Sequence, residues 1–223
     1  MKENLFIIIP AYQEEQVIAS VIRELHTCGY SRIIVVDDGS DDNTYGEAKK
    51  AGAIVLRHRM NRGKGASIKT GIEAAKRLGA DTIVTFDGDG QHDPKDIKTM
   101  LLYIQKGYDV VLGNRFLHKQ NIPKLKRIYN RIANGITYML YGIWVTDSQS
   151  GFRAYSRNAF SALDTESDRY ELESEILREI HLKKLRHKEI PIHVRYTKYS
   201  QNKKIKQNLW TGIKTAFQLV MKA

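Results

Sequence analysis

Short apolar runs of strand length recur along the first half of this 223-residue chain, and a segment with helical spacing separates each from the next. Residues 5–9 form one such run, closed by Pro10. Residues 14–25 follow with Val17, Ile18, Val21, Ile22 and Leu25 at helical spacing. Residues 33–36 are β-branched throughout and read as a second strand. Asp41 and Asp42 are candidate caps for a helix reaching Lys50. The alternation continues with strands at 54–57, 82–86 and 110–112 and helices at 66–78 and from Pro94 to about Ile104. Strands that are apolar on both faces and alternate with helices predict an α/β fold: a mostly parallel sheet flanked by helices.

On such sheets ligands bind beyond the carboxyl ends of the strands, and most of the unusual chemistry falls there. Asp87-Gly88-Asp89 follows the 82–86 strand. In extended backbone, residues i and i+2 project to the same side. The two carboxylates are therefore placed to chelate one hard cation, which would complete its shell with water and substrate phosphates. Gly88 allows close backbone approach, and Gln91 and Asp93 add an amide and a further carboxylate. Asp37 and Asp38 end the second strand, where they serve a turn and are also placed to accept hydrogen bonds from a base and a ribose. The run 61–65, Asn-Arg-Gly-Lys-Gly, puts glycines and the cations Arg62 and Lys64 before a helix, an arrangement suited to phosphate. It is not a P-loop.

Beyond residue 120 the pattern changes. Residues 122–144 contain a long helix with Leu125, Ile128, Ile132, Ile136 and Leu140 on one side. A helix over 171–181, a strand over 190–196 and a closing amphipathic helix over 208–221 complete the reading. The net charge is +11, and its excess lies in two clusters, 115–131 and 183–206. Nucleic acid, anionic lipid and phosphorylated small molecules are the candidate partners for such charge. Nucleic acid is set aside, because the acids at the strand ends would repel a phosphate backbone. Cys28 is the only cysteine, so no intramolecular disulfide forms; it is expected as a buried structural thiol. The N-terminus is too short for a signal peptide. No stretch reaches the roughly 18 apolar residues of a membrane span. The expected location is cytoplasmic, with peripheral attachment to the membrane face.

Taken in order, the segments IIPAYQEE (8–15), VVDDGSDDNT (35–44), NRGKGASIKTG (61–71), DGDGQHDP (87–94), GNRF (113–116), DSQSGFR (147–153), ELESEIL (171–177) and IPIHVRYTKYS (190–200) resemble the inverting glycosyltransferases of family two. The branch they most resemble is that of the dolichol- and polyprenol-phosphate mannose synthases. The resemblance implies a GT-A fold over 1–200. Its halves are a nucleotide-sugar part (1–115) and an acceptor part (116–200), and a C-terminal amphipathic helix (201–223) follows. It implies a GDP- or UDP-linked sugar as donor, with Mg²⁺ or Mn²⁺ held by Asp87, Asp89 and Gln91. Pro10, Tyr12, Glu14, Asp37 and Asp38 would hold the nucleoside, with Lys64 and Gly88 beside the diphosphate. Arg115, Arg127 and Arg131 would bind the acceptor phosphate, Glu173 and Glu175 would lie near the sugar, and Arg153 and Arg195 would serve the reacting charges. A polyprenyl phosphate acceptor is implied, with a membrane surface or a membrane-spanning partner subunit and a homo-oligomer as further partners. The alternative is a saccharide or other hydroxyl acceptor with Asp147 as general base. A catalytically silent subunit is disfavoured by the intact acids and arginines.

Overall fold

The computed structural model describes residues 4–117, 124–165, 168 and 172–195. One sheet holds β1 (Leu5–Ala11), β2 (Ile33–Asp37), β3 (Ile54–Arg57), β4 (Thr82–Thr85), β5 (Val110–Asn114), β6 (Arg153–Ser156) and β7 (His187–Pro191), in the order β3-β2-β1-β4-β6-β5-β7. All pairings are parallel except those of β6, which runs antiparallel to β4 and β5. A strand from the second half of the chain is thus inserted between two from the first, so both halves share one sheet.

The apolar strands earn their place by burial on both faces. In β1 the side chains of Ile7, Ile8 and Ile9 are fully buried. Phe6 and Ile8 join a core beneath α3 (Lys64–Arg77), α6 (Arg157–Ala162) and α7 (Leu172–Leu182). Ile7 and Ile9 point the other way, into a core closed by α1 (Ile18–Thr27), α2 (Thr44–Lys50) and α4 (Asp96–Gln105). This period-two alternation gives the three-layer architecture.

Close helix-to-sheet approach at α3 depends on Gly71. A Cβ there would collide with Cγ2 of Ile8, and Ile8 is β-branched and stiff in a fully buried strand. Gly71→Ala would gain about 1 kcal/mol of helix propensity. Overpacking costs about 1–3 kcal/mol, so the clash wins. The variant is expected to melt several degrees lower, since about 1 kcal/mol corresponds to roughly 2–4 °C at this size. A raised melting temperature by circular dichroism would contradict this packing.

Four expectations change. The last strand forms at His187–Pro191 rather than 190–196, because pairing with β5 sets its register from Val110↔His187 to Asn114↔Pro191. Residues beyond it leave the sheet and cross the loop after β4, with a bridge between His92 and Val194. Cys28 is half-buried, not buried. The long helix α5 (Lys124–Tyr141) does not bury the apolar side read from the sequence: Ile128 and Ile132 are each 55% exposed, whereas Asn134 and Thr137 are buried. The fourth is α6, which the sequence pattern did not announce. The closing helix expected at 208–221 lies outside the described residues. Among the described residues no helix is long and apolar enough to cross a membrane.

Candidate active site

The carboxyl ends of β1, β2, β4 and β5 lie along one edge of the sheet. Because β6 is antiparallel, its first residue, Arg153, lies at that edge too, paired in register with Thr85 and Leu112. This reversal brings the 147–153 loop against the Asp87-Gly88-Asp89 loop. The Thr85 hydroxyl donates to the Gly151 carbonyl at 2.6 Å, fixing one to the other.

Asp87 is the centre of an ionic cluster. Its Oδ1 lies 2.8 Å from Lys64 Nζ and its Oδ2 lies 3.0 Å from His92 Nε2. The same ammonium reaches Glu173 Oε1 at 3.0 Å. Lys64 opens α3 and Glu173 lies in the first turn of α7, so the cluster ties two helices to the end of β4. Burial alone would lower the Lys64 pKa and raise that of Asp87. Their mutual attraction, with Glu173 and His92 contributing, overrides burial and moves both the other way, so both are charged at neutral pH. His92 is buried against Phe86 and Phe152, with ring centroids 5.7 and 4.9 Å away, and its Nδ1 has no hydrogen-bond partner.

Among the described residues, Asp89 is engaged only within its own loop. Its Oδ1 accepts from the Gln91 backbone N–H at 3.0 Å and its Oδ2 from the Gln91 side-chain nitrogen. In this arrangement Gln91 turns a donor toward Asp89 and orients it, whereas the sequence reading made it a third ligand. Arg195 steadies the loop from the far side. Its backbone N–H donates to the Gln91 carbonyl at 2.8 Å. Its guanidinium spans Glu24 at 2.6 Å and Asp93 at 2.9 Å. The hydrogen bond to Glu24, then the Asp93 contact, raises the Arg195 pKa against the effect of burial. In this arrangement Arg195 braces the Asp87–Asp93 loop, where the resemblance implied a role at the reacting charges.

The donor set suits a hard divalent cation. Asp87 and Asp89 offer carboxylate oxygens at one strand end, half-exposed, with no Cβ on the residue between them. No group of three or more His, Cys, Asp or Glu side chains able to hold a metal occurs among the described residues. The protein would thus supply two carboxylates and leave most of the shell to water and diphosphate, the usual arrangement for Mg²⁺.

On the nucleoside side, Pro10 is half-buried and Tyr12 is exposed at the end of β1. Gln13 follows with φ at +55°, a left-handed conformation uncommon for a non-glycine residue; its N–H donates to Ser40 Oγ at 2.9 Å. Glu14 is buried and its backbone N–H donates to Thr44 Oγ1. The paired acids, for which the resemblance implied nucleoside contact, are engaged within the protein. Asp38 spends both oxygens on the Arg62 and Gly63 N–H groups and on His58. Asp37 is fully buried, accepts from the Ser40 N–H and pairs with Arg57 at 3.1 Å. Both acids shape the 38–40 turn and the 61–63 loop, and neither turns an oxygen to the open cleft.

On the acceptor side, Asp147 is fully buried and gripped by Arg115. Nε lies 2.8 Å from Oδ2, Nη2 2.7 Å from Oδ1, and the Arg115 backbone N–H also donates to Oδ2 at 2.9 Å. Glu189 of β7 accepts from the N–H groups of Thr146 and Asp147. Asn130 and Asn134 of α5 both donate to the Thr146 carbonyl, and Asn134 accepts from the Ser148 N–H. Arg127 and Arg131 are exposed on α5. Arg153, also expected at the phosphates, is only 1% exposed. Its guanidinium donates to the carbonyls of Ser148, Ser150 and Glu173 and so belongs to the scaffold. Glu173 joins the Lys64–Asp87 side of the site, and Glu175, two residues on in the same first turn of α7, is half-buried.

Sequence reasoning did not single out His92, Glu189, Asn130, Asn134 or His58. Only His92 carried a usable signal, its position inside the DGDGQHDP run.

Residues 6–164 match the model of the family described as Glycosyl transferase family 2. An uncharacterized protein of Methanocaldococcus jannaschii is 45% identical, over 99% of this chain and 92% of its own length. The UDP-N-acetylglucosamine–dolichyl-phosphate N-acetylglucosaminyltransferase of Methanococcus voltae is 38% identical, over 97% of this chain and 95% of its own. The crystal structure of glucosyl-3-phosphoglycerate synthase from Mycobacterium tuberculosis with Mn²⁺, UDP and glucosyl-3-phosphoglycerate superposes with a TM-score of 0.70. It covers 96% of this chain and 80% of that one at 19% identity, a likeness of fold. With the sheet order, the strand-end acids and this matched span together, the chain belongs to glycosyl transferase family 2 and is a glycosyltransferase of GT-A fold.

Proposed function

We propose that this enzyme transfers a sugar, with inversion, from a UDP-linked donor to a polyprenyl phosphate at a membrane surface. The observation that carries the acceptor class is the state of Asp147. A hydroxyl acceptor needs a general base within reach of its proton. Asp147, the carboxylate best placed in sequence for that task, is fully buried with both oxygens held by Arg115. A phosphate monoester is largely ionised at neutral pH and needs no base. The 38% identical relative supports both a UDP-linked donor and a lipid-phosphate acceptor.

The residues divide the work accordingly. Asp87 and Asp89 would hold the divalent cation, which when bound neutralises the leaving diphosphate. Lys64, at the start of α3, adds a cation beside them. Gln91 and Arg195 keep Asp89 and its loop in place. Asp147 orients Arg115 toward the acceptor side, and Glu189, Asn130 and Asn134 hold the loop that carries Asp147. The outward Ile128, Ile132 and Met139 of α5, flanked by Arg127 and Arg131, support attachment to an anionic membrane surface.

Purified protein is expected to form a lipid-linked sugar from a UDP-sugar and dolichyl phosphate in detergent, and to lose that activity in EDTA. No lipid-linked product with any UDP- or GDP-sugar, alongside glycosylation of a hydroxyl acceptor, would overturn the reading. Asp147→Asn separates the two acceptor classes further. As an orienting residue it should raise the acceptor KM about tenfold, the scale of one lost charge-assisted hydrogen bond, without altering the pH profile. As a base, its loss should lower kcat by about 10²–10⁴.

A further inference from the structure

The carboxylate best placed to bind a metal already has a cation. Asp87 Oδ1 faces Lys64 Nζ at 2.8 Å, and Glu173 Oε1 lies 3.0 Å from the same nitrogen. Asp87 Oδ2 is taken by His92. The ammonium sits against Gly151: a Cβ there would lie 2.5 Å from Nζ and 3.2 Å from Asp87 Oδ1, so a larger residue would push the ammonium from this position. Both side chains remain about a quarter exposed, on the open side of the cleft.

We propose that Lys64 is a resident counter-cation, which competes with the divalent ion for Asp87 and is drawn off by the donor's diphosphate, so that metal and nucleotide load together. The inference rests on the metal reading of Asp87 and Asp89. An ammonium and a divalent ion at one carboxylate oxygen repel each other strongly at such range. Metal alone must displace Lys64 and leave it with Glu173 only. A diphosphate arriving with the metal offers the ammonium a new anionic partner, and the lysine's long four-carbon stem lets it pivot while its backbone stays in α3. Lys64 then opposes the bare metal and favours the metal–nucleotide pair.

Removing the charge should therefore move two affinities in opposite directions. Full-length wild type, Lys64→Met and Lys64→Arg would be titrated with Mn²⁺ alone, followed by electron paramagnetic resonance. Each would then be titrated with UDP at saturating Mn²⁺ by calorimetry. Lys64→Met is expected to bind Mn²⁺ alone about tenfold tighter and UDP about tenfold weaker, given one unit charge at contact distance. Lys64→Arg should stay near wild type in both. Lys64→Gln gives the same readout if the methionine variant does not fold. Mn²⁺ binding to Lys64→Met that is unchanged or weaker overturns the proposal. Wild type that binds no Mn²⁺ even with UDP present overturns the metal reading itself, a separate result.

Discussion

Alanine at Asp89 is expected to lower kcat/KM by about 10²–10³-fold, the scale of one electrostatic stabiliser removed from a transition state, while leaving the melting temperature within about 2 °C of wild type. The two halves of this expectation have separate causes. Asp89 is half-exposed, and it accepts hydrogen bonds from Gln91, two residues on. Little of the fold rests on it. Its carboxylate instead forms half of the oxygen pair offered to a cation that would meet the diphosphate. Asp87→Ala is a less clean probe, because it strips a partner from Lys64 and from the buried His92 together and leaves Lys64 with Glu173 alone. The measurement is steady-state transfer at saturating Mn²⁺, with Mn²⁺ binding and thermal melts on the same preparation. Near-normal turnover with intact folding would remove the metal from Asp89.

The strand ends show what a sequence can reveal and where it stops. Of the first five strands, the edge strand β3 was placed by its short apolar run alone and leaves Ile54 44% exposed, whereas β1, β2, β4 and β5 could be placed because their runs are buried on both faces. The edge strand His187–Pro191 could not. It is half polar, and pairing with β5 rather than its own pattern places it. For Asp37 and Asp38 the residue type was right but the orientation was out of reach. Asp38 turns to the N–H groups of Arg62 and Gly63, some 24 and 25 residues away, and Asp37 to the Ser40 N–H and the Arg57 guanidinium. Arg115 and Asp147 were each singled out, but nothing local says that they satisfy each other across 32 residues. The helix α5 misled for a related reason. Its periodicity was real, but the core-facing stripe contains Asn134 and Thr137, which grip the 146–148 loop and the helix's own backbone. Ile128 and Ile132 of the apolar stripe are left outside, while Ile136 and Leu140 are half-buried. Periodicity reports that a helix has two faces; only tertiary hydrogen bonding decides which one is inward.

Arg153 makes the second large expectation, on stability. Its guanidinium is essentially inaccessible and donates to the carbonyls of Ser150 at 2.9 Å, Glu173 at 3.0 Å and Ser148 at 3.1 Å. Arg153→Met keeps much of the side-chain volume and removes every donor. A buried acceptor left unsatisfied costs about 1–3 kcal/mol, so three together should cost at least about 3 kcal/mol and lower the melting temperature by roughly 10 °C. Arg153→Lys restores a charge but not a planar fork, so it should recover only part of the loss. The three carbonyls belong to the loop that carries Asp147 and Gly151 and to the first turn of α7, which carries Glu173. Well below its melting temperature, Arg153→Met should therefore raise the apparent KM for donor and acceptor together. A residue that touched the reacting phosphates directly would instead lower kcat without destabilising the fold. A melting temperature unchanged in Arg153→Met, together with a large fall in kcat, would return Arg153 to the chemistry.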